Sequence, residues 1–329
     1  MHKIILILFT VFLFACGKNK TIGSVERTDP GFNAIMDENA KAEIIAEGYD
    51  WSEGPVWVES EKMLLFSDVP QNKVYKWTEE KGVELYLTPS GYTGSPARGG
   101  EMGSNGLTLS KENKLVLCQH GNRQIAWMDA DWKAPKPVFK PIADNYQSKK
   151  FNSPNDLVYR GNGDLYFTDP PYGLEKNMDD PLKEIPFQGV YCIKKGGEIK
   201  LMTDTITRPN GIVFTPDQKT LIVANSDSIK PCWYAYDIAD NDSLINPRIF
   251  YNASEEIKKE KGNPDGLKID KNGNVFASGP GGLWVFDKNA KLLGKLKFSM
   301  PVSNCALSPD EKTLYITADM YVLRVKMRK

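Results

Sequence analysis

The sequence predicts an all-β chain folded as a six-bladed β-propeller. A short pattern of one polar residue, one small residue and then apolar-x-apolar recurs six times, beginning at Glu53, Asn105, Asn155, Asn210, Asp265 and Asn304. The intervals are 52, 50, 55, 55 and 39 residues, which is the period of a propeller blade. Each copy is followed by a turn cluster and a second β-rich run, the pattern of a hairpin. Beyond the N-terminus no segment sustains a helical period.

The elements follow in order. The first blade opens with Glu53–Trp57, turns at Glu59–Lys62, and continues with Leu64–Phe66 and a third strand at Lys73–Trp77. The second reads Asn105–Leu109, turn Ser110–Asn113, then Leu115–Leu117. The third reads Asn155–Tyr159, turn Gly161–Asp164, then Leu165–Phe167. In the fourth, Asn210–Phe214 and the turn Pro216–Lys219 lead to Leu221–Val223 and Trp233–Tyr236. In the fifth, Asp265–Ile269 and Asp270–Gly273 lead to Val275–Ala277 and Leu283–Phe286. The sixth comprises Asn304–Ser308, Pro309–Lys312, Leu314–Ile316 and Val322–Val325.

At 329 residues the chain is long enough for two domains, but an all-β propeller of this size runs as one. Lys plus Arg equals Asp plus Glu at 42 each, so no net field favours nucleic acid or an anionic membrane. His2 and Lys3 precede an apolar run, Ile4 to Phe14, which is too short to span a bilayer and suits the core of a signal peptide. Cys16 directly after it resembles the lipidation site of a bacterial lipoprotein. The expected organisation is a signal peptide over 1–15, a lipid-anchored tether over 16–42 and the propeller over 43–329. This places a monomer or weak dimer in the cell envelope, facing the periplasm or the cell surface, held to the membrane only by its lipid. Four further cysteines remain; Cys118 and Cys305 lie in apolar strand contexts that suit buried free thiols.

The second strand of a blade runs antiparallel to the first, so its end shares a channel mouth with the start of strand one. That mouth carries the six polar residues and is the expected active face. The segments past each second strand, such as Gln119–Arg123 and Asp169–Tyr172, are expected to rim it. One histidine, His120, follows the leader, which excludes a His-rich zinc site. Neither a Gly-x-Ser-x-Gly elbow nor a Gly-rich nucleotide loop is present. The remaining candidate is an oxygen cage of Glu53, Asp265, Asn155 and Asn210. Such donors suit a divalent cation, Ca²⁺ first, with Mg²⁺, Mn²⁺ or Zn²⁺ as substitutes.

Glu53-Gly-Pro-Val-Trp, Ser104-Asn-Gly-Leu-Thr, His120-Gly-Asn-Arg, Ser153-Pro-Asn-Asp, Phe167-Thr-Asp-Pro-Pro-Tyr-Gly, Pro209-Asn-Gly-Ile and Pro264-Asp-Gly-Leu together resemble the senescence-marker-protein/regucalcin/gluconolactonase family. The resemblance covers roughly Glu43 to Val325. It implies divalent-metal-dependent hydrolysis of a sugar lactone, with Glu53, Asn210 and Asp265 as metal ligands. It implies for Asn155 a metal-facing or substrate-contacting role, and for Asn105 and His120 a place lining the substrate pocket. Asn304 matches no family role and is expected only to line the channel. The base that takes the proton from water is either Asp265, which otherwise serves as a ligand alone, or His120. Tyr172, fixed by two prolines, is a candidate to pack on a sugar ring. The Gly- and Pro-rich segment Pro89–Glu101 is a candidate lid that would bring Arg98 or Tyr92 over it. Two rival readings stand beside this one: an esterase or phosphotriesterase like the paraoxonase propellers, and a ligand-binding propeller without catalysis.

Overall fold

The computed structural model describes residues 20–95 and 98–328, and six sheets stand round one axis in it. The first four sheets use consecutive antiparallel strands. They run from Ser52–Val58 to Gly82–Leu87, from Ser104–Leu109 to Phe139–Ala143, from Leu157–Tyr159 to Ile199–Thr203, and from Pro209–Phe214 to Leu244–Asn252. In each, the first strand is innermost and the fourth outermost. The six-bladed propeller expected from the repeat is the fold observed.

The last two sheets depart from the expected boundaries. The fifth, Leu267–Ile269 to Leu292–Lys297, gains Ser24–Arg27 as its outer strand. The sixth has only three strands of its own, ending at Tyr321–Lys326, and is completed by Ala42–Glu47 and then Thr21–Ile22. The expected tether over 16–42 is therefore propeller from Lys20 onward. Between Ser24–Arg27 and Ala42–Glu47 the chain plants Phe32 and Met36, both fully buried, among Phe276, Leu293 and Leu323. Arg27 fastens this segment by donating to the carbonyls of Met36 (3.3 Å) and Asp37 (2.7 Å). The polar composition of the stretch hid its role, because its apolar anchors are few and lie outside the repeat. Residues 1–19, with the expected signal peptide and Cys16, lie outside the described residues. Cys118, Cys192, Cys232 and Cys305 are buried free thiols.

The hydrophobic core is divided into wedges. Six buried clusters each fill the space between two neighbouring sheets; Val116, Cys118 and Ile125 of the second meet Leu165, Phe167 and Tyr191 of the third, for example. Wedge packing explains the continuous apolar runs of the second strands, such as Leu64–Phe66 and Leu115–Leu117: a central strand covered on both faces must be apolar on both.

Nearer the axis the small residue of the repeat has a steric cause. A Cβ on Gly54 would lie 2.1 Å from the Asn105 carbonyl oxygen, and one on Gly211 2.3 Å from that of Asp265. Adjacent innermost strands thus touch backbone to backbone at the position after the polar residue. Second-strand hydroxyls tie the contact. Ser67 donates to the Asn105 carbonyl (3.0 Å), Thr168 to that of Asn210 (2.8 Å) and Ser278 to that of Ser303 (3.0 Å). Ser303 closes the ring by donating to the carbonyl of Ser52 (2.6 Å).

A candidate active site at the channel mouth

The leading residues of five repeats, Glu53, Asn105, Asn155, Asn210 and Asp265, line one cavity of about 450 Å³. Strand geometry puts them there: each stands at or just before the start of an innermost strand, and the glycine contacts bring those strands together. The sixth residue, Asn304, is set behind them. Its side-chain amide donates to Glu53 Oε2 (3.2 Å), which also accepts from the Gly54 N–H (2.7 Å). Asn304 orients a cavity carboxylate; it does not merely line the channel.

The cavity is prepared for positive charge. Glu53 is buried, which pushes its carboxyl from the usual 4.5 up to about 8; the nearby Asp156 adds to this. Burial also holds Asp265 well above the usual carboxylate range, reinforced by Glu53, Glu101 and Asp156. Asn105 Oδ1, Asn155 Oδ1 and Asp265 Oδ1 are buried without a hydrogen-bond partner. Orphaned oxygens beside two mutually repelling carboxylates cost free energy unless a cation satisfies them. Oxygen-only donors of this kind fit a hard divalent ion. Glu53, Asn155, Asn210 and Asp265 are the residues that would hold it.

This electrostatic arrangement has a testable consequence. Glu53 keeps its proton in the folded chain between about pH 4.5 and 8, where the unfolded chain has lost it. Cation-free protein is therefore expected to lose stability as pH rises through that window. Added divalent cation should restore the loss and release protons near pH 7. Melting curves from pH 5 to 9, with and without chelator, check the sign; flat apo curves would contradict it.

Other predicted residues are distributed differently. Tyr172 lines the cavity, and its hydroxyl donates to the Ser226 carbonyl (3.3 Å). His120 is fully buried and is not on the cavity wall; its Nδ1 lies 3.4 Å from Glu101, which is on the wall. Arg98 does not reach the cavity either. Its guanidinium is taken up by the carbonyls of Gly121 (3.3 Å) and Gly173 and stands over the Tyr92 ring. The described residues of the segment 89–101 are thereby pinned to neighbouring blades, with Gly99 N–H also donating to Glu175 (2.9 Å). A free lid would lack such fastenings.

The last residues of several second strands act as clamps for the segments that enter the first strands. Asp169 accepts from the N–H groups of Asn152 and Ser153, both at 2.8 Å, and burial raises its carboxyl to about 7. Asn225 accepts in the same way from Arg208 N–H (2.9 Å), and Asp68 from Trp51 N–H (3.3 Å). Sequence reasoning missed Glu101, Arg208 and Asn263 on the wall. All three precede a repeat rather than belong to it, and that position was the only available signal.

Comparison with known proteins bears on this site. Residues 51–319 match the model of the SMP-30/Gluconolactonase/LRE-like region. A gluconolactonase of Zymomonas mobilis is 38% identical over 318 residues, covering 94% of this chain and 87% of its own. A regucalcin of Xenopus laevis is 24% identical over 292 residues, covering 84% and 85%. The solved structure of a gluconolactonase from Xanthomonas campestris superposes with a TM-score of 0.80 at 27% identity, covering 94% of this chain and 96% of that one.

Proposed function

This chain belongs to the SMP-30/Gluconolactonase/LRE-like family, and from that premise we propose that it hydrolyses a sugar lactone with the help of a divalent cation, Ca²⁺ foremost, at the channel mouth. The observation that carries the proposal is the convergence of Glu53, Asn155, Asn210 and Asp265 on one cavity, with carboxylates that repel each other and the Asn155 amide oxygen left unpaired. When bound, the cation supplies Lewis-acid polarisation of the lactone carbonyl, an effect of several kcal/mol.

The chain's own residues supply the rest. Asp265 Oδ1 has no partner and is the base that accepts the proton of the attacking water. The water oxygen bonds to the carbonyl carbon, the ring C–O bond breaks, and the proton passes from Asp265 to the departing ring oxygen, giving the hydroxy acid. Positioned bases of this type contribute about 10²–10⁴-fold. His120, buried behind Glu101, is not the base. Asn105 and Tyr172 bind the ring from the wall, and Asn304 and Gly54 keep Glu53 oriented.

The test is turnover of D-glucono-δ-lactone and simple esters before and after chelation. Hydrolysis of the lactone that disappears with chelator and returns with Ca²⁺ is expected. Unchanged turnover after complete cation removal, or none on any lactone, would sink the proposal.

A further inference from the structure

We propose that Glu101 is the residue through which this cavity recognises a polyhydroxylated ring, its carboxylate accepting hydrogen bonds from neighbouring hydroxyls, and that His120 is the positioning residue behind it. The proposal rests on the lactone-hydrolase reading above and goes beyond it by assigning the source of sugar specificity.

Glu101 is a wall residue that belongs to no repeat, and its side chain is 34% exposed, so it is reachable by a ligand. The loop that carries it is fixed from both sides. Arg98 is bound to the carbonyls of Gly121 and Gly173, Gly121 N–H donates to the Met102 carbonyl (3.2 Å), and His120 N–H donates to that of Gly103 (3.1 Å). A carboxylate delivered on so short and tethered a segment is held in place before ligand arrives.

His120 has no other evident use. Its ring is fully buried, and neither Nδ1 nor Nε2 has a hydrogen-bond partner. The nearest charged atom is Glu101 Oε2, 3.4 Å from Nδ1. A buried imidazole without hydrogen-bond partners is costly and calls for a reason to be kept. Closing by a few tenths of an ångström would make an Nδ1–H···Oε2 bond. That bond leaves Oε1 to accept from a ligand. A carboxylate accepts from two adjacent hydroxyls well, and it gives nothing to a ring that carries none.

Wild type, E101Q, E101D and H120N are compared on D-glucono-δ-lactone and on δ-valerolactone, the same ring without hydroxyls. Loss of a hydrogen bond to a charged acceptor is worth about 10–100-fold. E101Q is expected to lose that much more kcat/KM on the sugar lactone than on the plain one, mainly through KM. E101D, which withdraws the carboxylate from His120, and H120N should shift KM in the same direction by less. Equal losses on the two substrates, or a loss confined to kcat, measured with saturating Ca²⁺, would overturn the assignment. If wild type opens neither lactone, the hydrolase reading fails separately. Calorimetry with gluconate then decides the assignment: binding lost in E101Q supports it, and absent or unaltered binding overturns it.

Discussion

Asp265→Asn is expected to reduce lactone turnover by about 10³-fold while raising the melting temperature of cation-free protein. The first effect follows from removing the carboxylate that takes the proton, within the usual range for a general base. Asparagine keeps one oxygen for a cation, so the cage is weakened less than the chemistry. The second effect follows from electrostatics. Burial and the neighbouring Glu53, Glu101 and Asp156 all disfavour the Asp265 carboxylate. A neutral amide escapes that penalty, and a gain of about 1 kcal/mol corresponds to roughly 2–4 °C in a chain of moderate size. Activity assays and calorimetry on one variant therefore read in opposite directions. A purely structural Asp265 would lower both. Turnover within about tenfold of wild type would leave Asp265 a ligand and nothing more.

A chain begun at Gly48 is expected not to fold, whereas one begun at Lys20 should melt cooperatively. The segment between them provides the strand Ala42–Glu47, paired with Tyr321–Val325 along its length. It also carries Glu43, which receives Arg324 Nη2 at 2.8 Å, and the buried Phe32 and Met36. Deleting Phe32 and Met36 together forfeits packing worth several kcal/mol, since one large core side chain cut to alanine costs about 2–5. Adding the bared edge of the sixth sheet, the sum approaches the whole stability of an ordinary domain, about 5–15 kcal/mol. Circular dichroism and size exclusion on the two chains settle it; a folded, monodisperse product from Gly48 would contradict the role assigned to the segment.

The propeller was legible because its geometry imposes a residue choice at a fixed interval. Gly54 and Gly211 recur where one strand's backbone abuts the next, and an oxygen-bearing side chain precedes each for the same reason of position. Both facts are local, so a single sequence displays them. Ring closure was not legible. Ser24–Arg27 and Ala42–Glu47 are short strands whose partners, Gly294–Lys297 and Tyr321–Val325, lie near the far end of the chain. Nothing in their composition names those partners. The site divides along the same line. Five of the six leading repeat residues line the cavity, and the sixth, Asn304, stands behind Glu53. Motif and loop composition point Arg98 and His120 toward the substrate, but the fold puts the guanidinium on backbone carbonyls and the imidazole behind a carboxylate. Asp169, expected in the rim of the mouth, is a clamp for two backbone N–H groups.

The ion pair between Glu43 and Arg324 joins residues 281 positions apart. A ribosome therefore releases five blades' worth of chain before the partner that locks the first strand into register exists. Until then the early strand is an unpaired ribbon, able to mate with the wrong edge or with another nascent copy. Such sequence-distant pairing slows productive folding. Synthesis rate and chaperone supply, more than any single side chain, should set how much finished protein a cell recovers.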